Sequence, residues 1–346
     1  MEEQQHKRRE RYKGTHPRRY QDRYKELNPE KYRDDVDKIR EKGKTPVGTH
    51  IPIMVNEILE VLDIKPGETG YDATLGYGGH TEKMLGKLGG EGHIYATDVD
   101  PIEIEKTKKR LASLGYGEDM LTVVRTNFCN VDTAFPDVKF DFALADLGFS
   151  SMQIDNPERG FTFKYDGPLD LRLDPSSGIP AYKRLRSMTT DEIAGMLTEN
   201  ADEPYADKIA REIIHTYRQK KPIETTKQLA AVVESALQFL PKDTRKEEIK
   251  KSCQRTFQAL RIDINNEFEV LYEFLEKLPQ HMKSGGRIAI LTFHSGEDRL
   301  VKKAFKQFKR DGIFSEIADD VIRPTKEECF RNSRAHSTKL RWAIKA

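Results

Sequence analysis

The chain of 346 residues has no apolar run approaching the roughly 18 residues needed to span a bilayer. No membrane protein of the helical kind is expected. Its three cysteines, Cys129, Cys253 and Cys329, are odd in number, far apart and form no C-x-x-C pair. That speaks against a disulfide framework and against a cysteine-rich zinc site, and it suits a reducing compartment. The first thirty residues are charged throughout and offer no apolar core for a secretory signal, so a cytoplasmic location is the expectation. Bias of charge is also lacking: 59 Lys and Arg stand against 57 Asp and Glu, for a net +2. The small excess is placed unevenly. Residues 1–44 hold 15 basic and 10 acidic side chains, five positive charges in excess, which leaves the remainder three charges negative. A near-neutral body makes no case for a strong grip on free nucleic acid.

Residues 1–47 contain almost no Leu, Ile or Val and are interrupted by Pro17, Pro29, Gly43 and Pro46. They read as a flexible, solvated extension. Tyr12, Tyr20, Tyr24 and Tyr32 are spaced to share one helix face, and the sharper alternative is a basic, tyrosine-bearing arm that touches RNA. From Pro52 the pattern changes. A helix at Met54–Leu62 precedes strands ending at Leu75, Asp98, Val124 and Asp146, with helices between them. Asp100, Pro101 and Gly115 punctuate the helix after the second strand. Strands alternating with helices predict a doubly wound parallel α/β sheet.

The alternation stops at residue 150. Helices are predicted over 190–199, with Thr189 and Glu192 spaced as a capping box, and over 205–219 and 226–240. The amphipathic helix Glu267–Met282, expected to end at Gly285-Gly286, leads into the buried strand Arg287–Phe293. A helix from Glu297 to Phe308 and a last strand at Thr338–Ile344 close the pattern. The domain reading is therefore a sheet domain over 48–150 and 251–346, interrupted by an inserted helical domain at 151–250.

In an open α/β sheet, ligands sit beyond the carboxyl ends of the strands. The first strand delivers Asp72-Ala73-Thr74-Leu75-Gly76-Tyr77-Gly78-Gly79-His80-Thr81, whose glycines allow a close backbone approach. The second delivers Asp98, 19 residues beyond Gly79, placed to accept hydrogen bonds from two ribose hydroxyls. Thr81 stands where a dinucleotide fingerprint needs its third glycine, and the P-loop Lys-Ser/Thr is absent. S-adenosylmethionine needs neither. The fourth strand ends in Asp146, next to the first strand in the expected sheet order. An acceptor there would hydrogen-bond an exocyclic amine and favour its pyramidal, nucleophilic form. His80, His294 and Asp298 lack a second ligand pair at metal spacing, so no metal is expected.

These residues resemble one family closely. Asp72–Thr81, Asp146–Asp155, Arg159-Gly160-Phe161, Asp166–Arg172, Arg255–Ile262, Phe293–Arg299 and the tail from Ser333-Arg334 to Leu340-Arg341 follow in the order of the RsmH (MraW) small-subunit rRNA methyltransferases. The likeness covers about residues 49–346. It implies a Rossmann-like class I methyltransferase sheet, and methyl transfer from S-adenosylmethionine to N4 of a cytosine in the decoding region of bacterial 16S rRNA. Carried over by motif, the cofactor contacts are Gly78, Gly79, His80, Asp98, Phe128, Asp146 and Gln153. Phe128 and Gln153 come from the resemblance alone. Asp146 is the candidate catalytic residue, and Arg159, Lys164, Arg172 and Arg255 are candidates for phosphate contacts. The partner implied is 16S rRNA within the small subunit; a homodimer is left open.

The chain departs from the family pattern at several places. The leading 47 residues fall outside it, Gly296 replaces a usual leucine, Asp263 stands at a position commonly apolar, and Ala335-His336 alters the basic tail. Phe149 replaces a smaller valine and would be placed to stack on the target base. These departures keep open a paralogue acting on another nucleic-acid amine, and a non-catalytic cofactor-binding assembly factor.

Overall fold

Strands β1 (Thr69–Asp72), β2 (His93–Asp98), β3 (Leu121–Arg125), β4 (Phe140–Asp146), β5 (Met282–Thr292), β6 (Phe314–Ile317) and β7 (Lys339–Lys345) form one sheet in the order β3-β2-β1-β4-β5-β7-β6. This computed structural model describes residues 52–346, so the expectations for residues 1–47 lie outside the described residues. β1 to β5 run parallel, and β7 is antiparallel to both β5 and β6. The parallel strands are covered on both faces, which is why they read as continuous apolar runs such as Ile288-Ala289-Ile290-Leu291. Side chains alternate between the faces. Tyr71, Ala143, Ile288 and Ile290 enter one core; Phe142, Leu144, Ala289 and Leu291 enter the other.

Helices α1 (Val55–Leu62), α2 (Gly79–Leu88) and α3 (Pro101–Ser113) cover the second of those faces through Ile58, Met84, Leu85 and Leu111. The short α4 (Val131–Ala134) contributes Val131 to the first. After β4 the chain leaves the sheet through α5 (Ser151–Asp155), α6 (Ala181–Ser187), α7 (Thr190–Ala201), α8 (Ala206–Arg218), α9 (Thr226–Ala236) and α10 (Lys242–Asn265). These helices build a core of their own, with Leu185, Ile193, Leu197, Ile209, Ile213, Leu229, Val233, Phe257 and Leu260 inside. It returns through α11 (Glu267–His281) and α12 (Ser295–Arg310), with α13 (Lys326–Arg331) before the last strand. Among the described residues no helix is long and apolar enough to cross a membrane.

Two local findings differ from the sequence expectations. The 24-residue α10 was not anticipated, and it crosses position 250, where the helical segment was expected to end. Its first ten residues carry one strongly apolar side chain, Ile249, so no helical stripe shows there. α11 stops at His281, and Gly285-Gly286 lie inside β5 beside a register shift against Phe140–Phe142. Gly296 also gains a reason. A Cβ there would stand 2.5 Å from the Phe268 ring, so the ring fills the space that a leucine would need.

Candidate active site at the carboxyl ends of the parallel strands

β1 ends at Asp72 and hands the chain to a loop that turns into α2. Gly76 and Gly78 take φ of 48° and 73°, the left-handed region where a Cβ is strained. A Cβ on Gly78 would also stand 2.6 Å from the Thr107 methyl group. α3 staples the loop from outside. The Thr107 hydroxyl donates to the Gly76 carbonyl at 2.6 Å, and the Arg110 guanidinium donates twice to the Tyr77 carbonyl while pairing with Glu82.

Three carboxylates line this edge. Asp72 pairs with Ala96 on β2 and with Leu144 on β4, and Asp98 and Asp146 each follow two residues later. They share a side of the pleat and flank β1, about 10 Å apart at two strand spacings. Asp98 accepts the Gly76 amide at 2.7 Å through one oxygen and the Asp100 amide at 2.9 Å through the other. Burial pushes its carboxyl up to about 6, against the pull of those two N–H groups. Asp72 is fully buried, with Thr81 donating to one oxygen at 2.6 Å and the Thr74 amide to the other at 3.0 Å. Burial raises its pKa as well.

Asp146 differs from both. Its backbone amide donates to the Thr74 hydroxyl at 2.7 Å, which fixes the strand end against the loop. Its Oδ2 lies 3.4 Å from Nδ1 of His80, while its Oδ1 is buried with no hydrogen-bond partner. Burial raises this carboxyl above the usual range; His80 opposes the rise, and Asp72 and Glu297 add to it. His80 is itself buried, in the first turn of α2, and its Nε2 lies 2.9 Å from the Ile53 carbonyl.

The remaining expected residues are placed as follows. Phe128 follows β3, half-buried, its ring edge-on to Phe274 at 5.0 Å. Gln153 is engaged at both ends of its amide: Oε1 accepts from the Ser150 amide and Nε2 donates to Asp100 at 3.1 Å. Arg159 and Arg172, expected to contact phosphates, are both engaged within the protein. Arg159 pairs with the fully buried Asp100 at 2.8 Å and donates to the Arg172 and Leu173 carbonyls. Arg172 is clamped by both oxygens of Asp170 and donates to the Ser177 and Gly178 carbonyls. Both guanidiniums are neutralised inside the protein. Arg255, on α10, is a third of the way exposed and 3.5 Å from Glu203. Phe149 also has company: Arg261 covers its ring at 4.1 Å and Phe161 lies 5.0 Å away. A base stacking on it must therefore use the face away from Arg261.

Glu267, His294 and Glu297 bring one ligand atom each within 4.8 Å of one another. Arg261 occupies both oxygens of Glu267 at 2.8 Å, and Glu297 takes the Phe293 and His294 amides. Both carboxylates are thus already engaged by groups of the protein itself. Asp298 lies outside the group, paired with Lys339 and Arg341. Sequence reading passed over Asp72 as a member of the site. The available signal was a third acid at a third strand end.

The MraW methylase family matches residues 48–346. The chain belongs to that family. A relative from Agathobacter rectalis, the ribosomal RNA small subunit methyltransferase H 1, is 61% identical over all of this chain and 99% of its own length. One from Alkaliphilus metalliredigens, the ribosomal RNA small subunit methyltransferase H 2, is 59% identical over 99% of each chain. A third, the ribosomal RNA small subunit methyltransferase H of Caldicellulosiruptor saccharolyticus, is 38% identical over 86% of this chain and 99% of its own. The leading segment outside the family match thus falls within the alignment of the first relative and is not peculiar to this methylase.

Proposed function

We propose that this methylase uses S-adenosylmethionine to methylate N4 of a cytosine in the decoding region of 16S rRNA, within the small ribosomal subunit in the cytoplasm. The observation that carries the reading is Asp146 Oδ1, a buried acceptor with no partner, at the strand end opposite Asp98. The residues present suit the cofactor: a glycine bend free of Cβ atoms beside an acid on the neighbouring strand. S-adenosylmethionine supplies a methyl group on a positively charged sulfur.

Asp98, its carboxylate already held by two amides, offers its remaining lone pairs to the ribose hydroxyls. The backbone at Gly78, Gly79 and His80 frames the methionine side, and Phe128 lies toward the adenine. Gln153 acts through Asp100, which it and Arg159 hold in place. Asp146 accepts from the exocyclic amine and keeps its lone pair aimed along the transfer line. A paired cytosine has to be extruded to reach it. The body of the protein is near neutral, which suits recognition of a preformed subunit over free RNA. The names of the three relatives support the substrate class.

A second reading, a copy acting on a different amine of the same RNA, rests on the departures of this chain from the family pattern, Phe149 and Asp263 among them. Mapping of modified 16S nucleotides with and without the protein separates the two. Methylation at a cytosine N4 supports the first reading, and methylation elsewhere supports the second. Purified small subunits are the expected substrate; equal activity on naked RNA would contradict recognition of the assembled particle.

A further inference from the structure

The inserted helices carry two basic clusters that the site does not use, Lys183-Arg184-Arg186 and Arg218-Gln219-Lys220-Lys221. The structure brings them to one place. α6 ends at Ser187 and α8 at Arg218. Tyr217, packed against the core of the inserted helices, lies close enough to Arg186 for that guanidinium to act on its phenol, with Glu224 acting in the opposite sense. Lys183 is one turn before Arg186 on the same face of α6. Lys183, Arg186, Arg218, Lys220 and Lys221 are all exposed, and among the described residues none of them forms an ion pair. The arginines around the sheet differ: Arg110, Arg125, Arg159 and Arg287 each face a carboxylate. Basic side chains in the last turn of a helix offset its dipole, which accounts for Arg186 and Arg218. It does not account for Lys220 and Lys221, which follow the end of α8. Lys220 holds a left-handed backbone, φ 58°, where a closing helix usually takes glycine. The amides of Lys220 and Lys221 turn back to the Tyr217 and Thr216 carbonyls, so both side chains leave from a fixed turn.

The patch is fastened to the substrate side of the site. Arg184, between Lys183 and Arg186, donates to both oxygens of Asp263 on α10. Asp263 lies two residues past Arg261, whose guanidinium covers Phe149 just after the end of β4. We propose that Lys183, Arg186, Arg218, Lys220 and Lys221 form one docking surface for the phosphodiester backbone of the RNA that flanks the target nucleotide. The proposal rests on the rRNA methyltransferase reading above and adds to it where the RNA lies. Five exposed, unpaired cations on a body otherwise near neutral suit a polyanion held at one place rather than along the whole molecule. The surface fixes position and carries no base recognition, which stays with the pocket at Asp146.

The triple variant Arg186→Gln, Lys220→Gly, Lys221→Gln of the full-length protein tests this by its binding to purified small subunits. Each phosphate contact contributes about 0.7–0.9 to the slope of log affinity against log salt, so the variant is expected to lower that slope by about two. Its affinity at low salt falls about tenfold or more, and the deficit shrinks as salt rises. The rate at saturating subunit stays at the wild-type value. Glycine suits the backbone at Lys220, so Lys220→Gly alone holds the melting temperature and is expected to weaken binding in the same direction. The control variant is Lys302→Gln, Lys303→Gln, Lys306→Gln. It removes three exposed charges from α12, which runs back along the sheet away from the strand ends, and it is expected to bind as the wild type does. Wild-type affinity in the first triple variant, or an equal loss in both, overturns the proposal. A loss that leaves the salt slope unchanged overturns it too, and assigns the surface to a protein of the subunit. Failure of the methyltransferase reading looks different: the wild-type protein transfers no methyl group to small subunits at any salt concentration.

Discussion

Asp98 and Asp146 end the two strands on either side of β1, each two residues past the partner of Asp72. Their environments set them apart. Both oxygens of Asp98 already accept backbone amides, whereas Asp146 keeps one oxygen without any partner. Under the proposed function, the first holds the cofactor in place and the second meets the incoming amine.

Asp98 gives a pH prediction with a definite sign. Burial raises its carboxyl to about 6, and ribose hydroxyls hydrogen-bond best to the ionised form. Binding therefore favours ionisation and lowers that pKa. Affinity for S-adenosylmethionine is expected to fall as pH drops through about 6, with proton release on binding near that pH. Calorimetry in buffers of different ionisation enthalpy reads both quantities. Affinity flat from pH 5 to 8 would remove Asp98 from the ribose.

Gly78→Ala should damage the loop without touching any carboxylate. The left-handed backbone at this position costs alanine about 1–3 kcal/mol, and the new Cβ meets the Thr107 methyl group at 2.6 Å. A lower melting temperature and weaker cofactor binding are expected together. Thr107→Ser alongside removes that methyl group and should recover part of the loss.

Arg159 separates a structural from a phosphate-binding role. Arg159→Met leaves the buried Asp100 charge without its partner at 2.8 Å. Breaking such a pair costs about 3–5 kcal/mol. The double change with Asp100→Asn, which keeps a capping side chain at the start of α3, should cost less than Arg159→Met alone. A melting temperature unmoved by Arg159→Met would return this residue to the RNA-facing surface.

Much of the sheet was legible because its signals are local. Asp100 with Pro101 caps α3, Thr189 with Glu192 caps α7, and the apolar runs of β4 and β5 can only be buried strands. The positions of Asp98 and Asp146 follow directly, since a strand-end acid needs no knowledge of the partner strand. Gln153 and Phe128 could not be found that way, and they entered through family resemblance. The engagement of Arg159 and Arg172 was also invisible, because Asp100 lies 59 residues before Arg159 and an arginine in a loop reads as free. The same holds for His80, whose contacts with Ile53 and Asp146 join three segments distant in sequence.

The most direct test of the division between the two acids is the rate of labelled methyl transfer to purified small subunits by Asp98→Asn and Asp146→Asn, measured against increasing S-adenosylmethionine. The expected result is that Asp98→Asn climbs toward the wild-type rate once the cofactor is saturating, while Asp146→Asn stays slow at every concentration. If excess cofactor rescues both variants alike, or neither, the two carboxylates do not have separate tasks and the account fails.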